Sequence, residues 1–334
     1  MLDIRLIKSY ASQRTHSLWP ALILCLCFGY GANASGHQGP KYDNGTILNK
    51  NSMPLVLSGT ELISSGFNFV EGPVWHPEGY LLFSDIPASK VYRWDEGTGQ
   101  ISISINNSHQ SNGLSFDKLG YLVVCEHEAR RVTVRDPESF DIIQSISSYQ
   151  GKKLNSPNDV VIDSLGRIFF TDPPYGIGDQ PDMSEDGLGE LNGVYLFDQG
   201  KLTLLAQHKR PNGLAFSVDG TILYVTDTKE NCVYAYDVNF HSGLLSRKRK
   251  FINVSHPDGV KVDESGFIYV AALEGVQVFD EFGTYQGLID VPEQPTNLTF
   301  GGQNYDTLFI TAQHGVYSVK LRTRGIAPYS RIGR

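Results

Sequence analysis

Residues 212–227 read NGLAFSVDGTILYVTD. Residues 213–216 make a short apolar strand and 217–220 a tight turn, whose Asp219-Gly220 pair supplies the positive φ a hairpin needs. Residues 222–225 form a second strand and 233–236 a third. No apolar stripe of helical period runs through the segment, so the unit is a β-meander.

Five other segments repeat this grammar. They open at Glu71 (EGPVWHPEGYLLFSD), Asn112 (NGLSFDKLGYLVVCE), Asn158 (NDVVIDSLGRIFFTD), Asp258 (DGVKVDESGFIYVAA) and Asn297 (NLTFGGQNYDTLFIT). Successive openers are 41, 46, 54, 46 and 39 residues apart. Strand-built repeats of that period are blades of a β-propeller. Most copies continue into a fourth, outer strand, such as residues 101–104. The sixth does not: after residues 316–319 the chain turns polar, and residues 61–64 are left over to fill the vacant edge. The expected fold is all-β, a six-bladed β-propeller over residues 56–325 closed by an N-terminal strand, with 326–334 as a tail.

The N-terminus stands apart from the repeat. Arg5, Lys8 and Arg14 precede an apolar run at residues 18–30, and Ala32-Asn33-Ala34 has the small-residue spacing of a signal peptidase site. Residues 1–34 therefore read as a secretory signal, the mature protein as secreted or periplasmic, and residues 35–55 as a flexible lead-in. The run is shorter than the roughly 18 to 20 residues of a spanning helix, so no membrane partner is expected after cleavage. The formal net charge of the chain is −8, and the signal contributes three Arg/Lys against one Asp, leaving −10 on the mature part. An acidic surface repels phosphate backbones, which argues against nucleic acid. Cys125 and Cys232, read as equivalent second-strand positions of repeats two and four, are too far apart in a six-fold ring to bridge. The basic run at residues 247–250 reads as a solvated strand edge, and in the mature part N-x-S/T triplets begin at Asn44, Asn106, Asn253 and Asn297.

In an antiparallel hairpin the start of the first strand and the end of the second share one end. The openers Glu71, Asn112, Asn158, Asn212, Asp258 and Asn297 therefore share a rim with Asp85, Glu126-His127, Asp172, Asp227 and His314. A polar loop at residues 176–192 leaves the same rim and reads as a lid. Two carboxylates and four amides converging on one axis suit a hard divalent cation. Ca²⁺ takes about six to eight oxygen ligands and is the favoured ion, with other divalent ions open. Glu71, Asn158, Asn212 and Asp258 are the oxygens placed on it. Spacing alone leaves open which of the six openers reach the ion, and a single Asn-Gly can simply cap a turn. His127 and His314 are either substrate binders or rim hydrogen-bonders. Trp75, Tyr80, Phe83, Tyr121, Phe170 and Tyr224 read as core, and Asp117, Asp163 and Asp219 as turn residues. The chain has neither a G-x-S-x-G elbow for a serine nucleophile nor a G-x-G-x-x-G for a dinucleotide.

The runs EGPVW from Glu71, LNSPNDV from Leu154, FTDPPYG from Phe170, RPNGL from Arg210 and PDG from Pro257 resemble the gluconolactonase branch of the regucalcin/gluconolactonase family. The likeness spans nearly everything from Gly66 to Val319. It implies a six-bladed propeller in which Glu71, Asn212 and Asp258 bind a divalent metal, with Asn158 touching the ion or its water. It also implies that Asp258 is the base that activates water. Relative to the regucalcin branch, Ser156 replaces an arginine and Asn112 is an added amide. The expected activity is hydrolysis of a sugar lactone, D-glucono-1,5-lactone first, with the carbonyl polarised by the cation. Asn112, His127 and Tyr175 would hydrogen-bond sugar hydroxyls. The alternatives are a lactonase or esterase for non-sugar ring esters, and a non-catalytic propeller that binds a partner on its rim.

Overall fold

The computed structural model describes residues 55–327. The signal-peptide reading, residues 35–54 of the lead-in and the tail from 328 onward lie outside the described residues. Leu55, assigned by sequence to the lead-in, is fully buried.

Six antiparallel sheets of four strands follow one another along the chain. The first contains Val70–His76, Tyr80–Asp85, Lys90–Asp95 and Ile101–Asn106, paired in that order. The inner strands of the remaining sheets are Ser111–Phe116, Val160–Ile162, Pro211–Phe216, Val260–Val262 and Pro295–Gly301. Each inner strand touches the next, and the sixth returns to the first, so the sheets close into a propeller. As the sequence predicts, Glu61–Ser65 supplies the outer strand of the sixth blade, pairing antiparallel with Gly315–Lys320 through Glu61↔Ser318. Closing the ring this way ties the two ends of the domain and removes an open edge.

Burial explains why these strands tolerate continuous apolar runs. Tyr80–Asp85, Ile168–Asp172 and Ile268–Ala272 are buried at every residue, because both faces of a blade pack against its neighbours. The outer strands face water and are correspondingly polar, as in Leu245–Asn253, where Arg247 and Arg249 pair with Asp237. The core is six apolar clusters, one between each pair of adjacent blades. Blades one and six meet through Trp75 stacked on Phe309, with ring centroids 5.1 Å apart. Each fully buried Leu or Phe contributes roughly 1.5–3 kcal/mol, so ring closure rests on these interfaces more than on any single contact.

The turn aspartates do what the sequence assigns them. Asp117 accepts the amides of Leu119 and Tyr121 at 2.8 and 2.9 Å, and Asp163 those of Leu165 and Arg167 at 2.9 and 3.0 Å. Other readings need correction. Cys232 opens the third strand of blade four, not the second; it and Cys125 are both buried and free. Tyr121 is half-buried, unlike the other aromatics grouped with it. A two-residue hairpin, Ser148–Tyr149 with Lys152–Lys153, lies between blades two and three, where the sequence reading placed nothing. Asn297 is buried and unavailable for glycosylation, whereas Asn106 and Asn253 are exposed at the ends of outer strands.

The glycine after an opener is a packing requirement. A Cβ on Gly213 would lie 2.6 Å from the Asp258 carbonyl oxygen, and one on Gly113 2.6 Å from that of Asn158. Gly213→Ala is expected to cost about 1–3 kcal/mol by forcing blades four and five apart, read as a lowered Tm. An unchanged Tm would show that the hub has slack.

Candidate functional site

The openers reach the hub because the inner strands are irregular there. In blades one, two, four and six the pairing slips at Glu71/Val74, Ser111/Leu114, Pro211/Leu214 and Pro295/Asn297. In blade three, Asn158 and Asp159 together face Thr171, the Asn158 amide donating to the Thr171 carbonyl at 2.8 Å and the Thr171 amide to the Asp159 carbonyl at 3.1 Å. Asp258 and Gly259 face Ala271 in the same way. A bulge adds one residue against the partner strand and turns its side chain out of the alternation between blade faces.

Neighbouring blades then lock these residues by their backbones. The amides of Gly113 and Gly213 donate to the carbonyls of Asn158 and Asp258 at 2.8 and 3.2 Å. Hydroxyls one residue before the end of the second strands do the same: Ser84 donates to the Asn112 carbonyl at 2.8 Å, Thr171 to Asn212 at 2.7 Å and Thr226 to Asp258 at 2.7 Å. Sequence reading missed this set, although its signal stood in the FSD, FTD and VTD triplets that close those strands.

At the centre, Glu71 is buried; its Oε2 accepts the amides of Gly72 and, at 2.9 Å, of the Asn297 side chain. Asn297 Oδ1 accepts the Leu298 amide at 2.9 Å, so both ends of that side chain are engaged and it serves to orient Glu71. The Oδ1 atoms of Asn158, Asn212 and Asp258, by contrast, are buried without a hydrogen-bond partner. Leaving such an acceptor dry costs about 1–3 kcal/mol each. Burial, followed by the charge of Asp159, pushes Glu71 up to about 7; burial, Glu71 and Asp159 push Asp258 well above the usual carboxylate range. Two carboxyls in that setting cannot both ionise without a counter-charge. Among the described residues no three His, Cys, Asp or Glu side chains cluster to hold a metal, so any site here draws on amides as well. An oxygen-only set of two carboxylates and unpartnered amide oxygens fits a divalent cation of the Ca²⁺ type.

Beside the hub, Asn112 Nδ2 donates to His127 Nε2 at 3.1 Å. Burial lowers His127 to about 4, so the ring is neutral with its proton on Nδ1. Tyr175 opens a 3-10 turn, Tyr175–Ile177, at the start of the segment between blade-three strands. Its hydroxyl is buried and unpartnered beside Asn212 and Thr228, and burial raises its pKa well above the ordinary value, keeping it protonated. Gly176 packs on His127, where an added Cβ would lie 2.5 Å from the His127 Cβ. Ser156 donates to the Pro173 carbonyl at 2.6 Å and accepts the Gly176 amide at 2.8 Å. Ion pairs Arg130–Asp182 at 2.6 Å and Arg210–Asp179 at 2.7 Å tether the rest of the segment.

The rim acids are engaged by the backbone and by arginines. Asp85 accepts the Asn68 and Phe69 amides, Asp227 those of Lys209 and Arg210, and Asp172 that of Asn155. Glu126 is buried between Arg131 and Arg135, each at 2.6 Å. Asp85, Asp172 and Asp227 anchor the loops that enter their blades, and Glu126 ties together the strands of blade two; Asp172 keeps a buried Oδ1 without a partner. His314 is exposed and pairs with Glu293 at 2.9 Å, the rim hydrogen-bonding role.

The pH dependence of stability follows from the raised carboxyls. A carboxyl whose folded pKa exceeds its unfolded value stabilises the fold at low pH, and that stability is lost as pH rises between the two. For Glu71 the window runs from 4.5 to about 7. A divalent cation bound to the ionised pair would offset the loss. The Tm increase produced by added Ca²⁺ is therefore expected to be larger at pH 8 than at pH 5, by roughly 5 °C. An equal increase at both pH values would detach the ion from these carboxyls.

Comparison with known proteins places this architecture. The SMP-30/Gluconolactonase/LRE-like region matches residues 69–314. A gluconolactonase of Zymomonas mobilis is 33% identical over 295 residues, covering 79% of this chain and 82% of that protein. A pentonolactonase of Haloferax volcanii is 31% identical over 268 residues, covering 77% and 85%. The solved structure of a gluconolactonase from Xanthomonas campestris superposes with a TM-score of 0.76 at 30% identity, covering 85% of this chain and 98% of that one.

Proposed function

The chain belongs to the SMP-30/Gluconolactonase/LRE-like family, and from that membership we propose that it hydrolyses a sugar lactone, D-glucono-1,5-lactone foremost, to the aldonic acid. The observation that supports the reading is that the openers Asn158, Asn212 and Asp258 each carry a buried oxygen without a hydrogen-bond partner, with Asp258 close enough to the buried Glu71 for their charges to interact. The names of the relatives, a gluconolactonase and a pentonolactonase, support the substrate class.

A divalent cation held by Glu71, Asn158, Asn212 and Asp258 would supply polarisation of the lactone carbonyl and stabilise charge developing on its oxygen. The protein's own groups do the rest. Asp258 takes a proton from the attacking water at its carboxylate, a modest demand because an activated ester needs little help. The neutral His127, oriented by Asn112, and the protonated Tyr175 hydrogen-bond sugar hydroxyls. The tethered segment over blade three restricts access of bulk water to the reacting ester.

A pH-indicator assay over a lactone panel tests this. Aldonolactones should turn over at least about tenfold faster than an unsubstituted δ-lactone, because the analogue without hydroxyls leaves polar groups in the site unpaired. Equal rates would favour the non-sugar ring ester, and no turnover of any lactone a rim-binding propeller.

A further inference from the structure

Two charged residues break the repeat near the hub, and their charges are opposite. The residue after the opener is glycine in four blades, at Gly72, Gly113, Gly213 and Gly259; blade six has Leu298, and blade three has Asp159. Below the openers, the channel-lining positions are Val74, Ser115, Val161, Ala215 and Thr299 in five blades, and blade five has Lys261. Among those six, Lys261 alone carries charge. Blades three and five are not adjacent, yet Lys261 Nζ lies 3.9 Å from Asp159 Oδ2, so the two meet inside the ring.

Both side chains are held. Asp159 is buried, and its Oδ2 accepts the Leu214 amide at 3.2 Å. Lys261 donates to the Val260 carbonyl at 3.1 Å, and its stem lines a cavity of about 170 Å³ on the far side of the hub. Above the pair stand the buried carboxylates of Glu71 and Asp258. With all four groups ionised, Glu71, Asp258 and Asp159 contribute three negative charges and Lys261 one positive.

We infer that Lys261 sets the charge the hub offers to a cation: it cancels Asp159 and leaves the Glu71 and Asp258 carboxylates to balance a divalent ion. This rests on the cation reading above and adds to it a residue outside the oxygen set. Lys261 acts at a distance, as a positioning and charge-setting group.

Calorimetric titration of the purified metal-stripped protein with CaCl₂ at neutral pH tests it. Lys261→Met should tighten Ca²⁺ binding at least about tenfold, as one removed positive charge acting through a partly buried medium requires. Lys261→Arg should keep wild-type affinity. Asp159→Asn should weaken binding by a similar factor, and the double variant Asp159→Asn/Lys261→Met should return to within about threefold of wild type, since each change offsets the other. If Lys261→Met left affinity unchanged or weakened it while wild type bound Ca²⁺, the inference would be overturned and Lys261 would be a packing residue, visible as a lowered Tm alone. Should Asp159→Asn fail to fold, the Met and Arg variants of Lys261 decide between them. Wild-type protein that takes up no Ca²⁺ would instead overturn the cation reading, and this inference with it.

Discussion

Asp258→Ala is expected to lower kcat/KM for gluconolactone by at least about a thousandfold, within the range in which a general base and an electrostatic ligand are both lost. The fold should survive. Asp258 is buried beside Glu71 with Asp159 nearby, and its Oδ1 has no hydrogen-bond partner, so truncation relieves repulsion and removes an unsatisfied oxygen. Without divalent ions, the variant's Tm should match or exceed wild type. Asp258→Asn separates the two roles: it keeps an oxygen at the hub but cannot take a proton, so activity falls while Ca²⁺ affinity declines less than in the alanine variant. Rates from a pH-indicator assay and melting curves on the same samples check this. An alanine variant retaining a tenth of wild-type activity would remove Asp258 from the chemistry.

Chelation has the second large effect. Stripping divalent ions should reduce kcat/KM by at least about a hundredfold, and adding back Ca²⁺ should restore it, because the carbonyl then loses its principal source of polarisation. Physical grounds come from the chain itself. Three unpartnered acceptors and a carboxyl pair that burial holds partly protonated make an unfavourable hub without a counter-charge. Protein from which the ion is removed should also melt lower at pH 8. Full activity after exhaustive chelation would refute the metal-assisted route, leaving Asp258 and the hydrogen-bonding groups to act alone.

Much of this was legible before any coordinates. The turn residues and strand-length apolar runs recur in every repeat, so the six blades and the closing strand at Glu61–Ser65 could be read from pattern and turn chemistry, and the six openers with them, though not which of the six serve a common site. What escaped depends on pairing, which a string of residues does not display. The bulges that turn the openers inward are register slips, visible only once the partner strand is known. The rim acids Asp85, Asp172 and Asp227 share an end with the openers, and that loop amides engage them was not visible in the sequence. Cys232 directly precedes residues 233–236, the third strand of its repeat, and pairing places it in that strand. Asp159 and Lys261 are separated by 102 positions (261 − 159), and only ring closure makes them neighbours.

The central claim is that one divalent cation sits among the oxygens of Glu71, Asn158, Asn212 and Asp258. Its most direct test is an anomalous difference map from crystals soaked in Mn²⁺, with a Ca²⁺ soak as the second data set. The account predicts a single strong peak at the hub, about 2.0–2.6 Å from those oxygens, with the remaining positions filled by water. A hub without a peak in both soaks, or a peak only at surface carboxylates in crystals whose protein remains active, would contradict it.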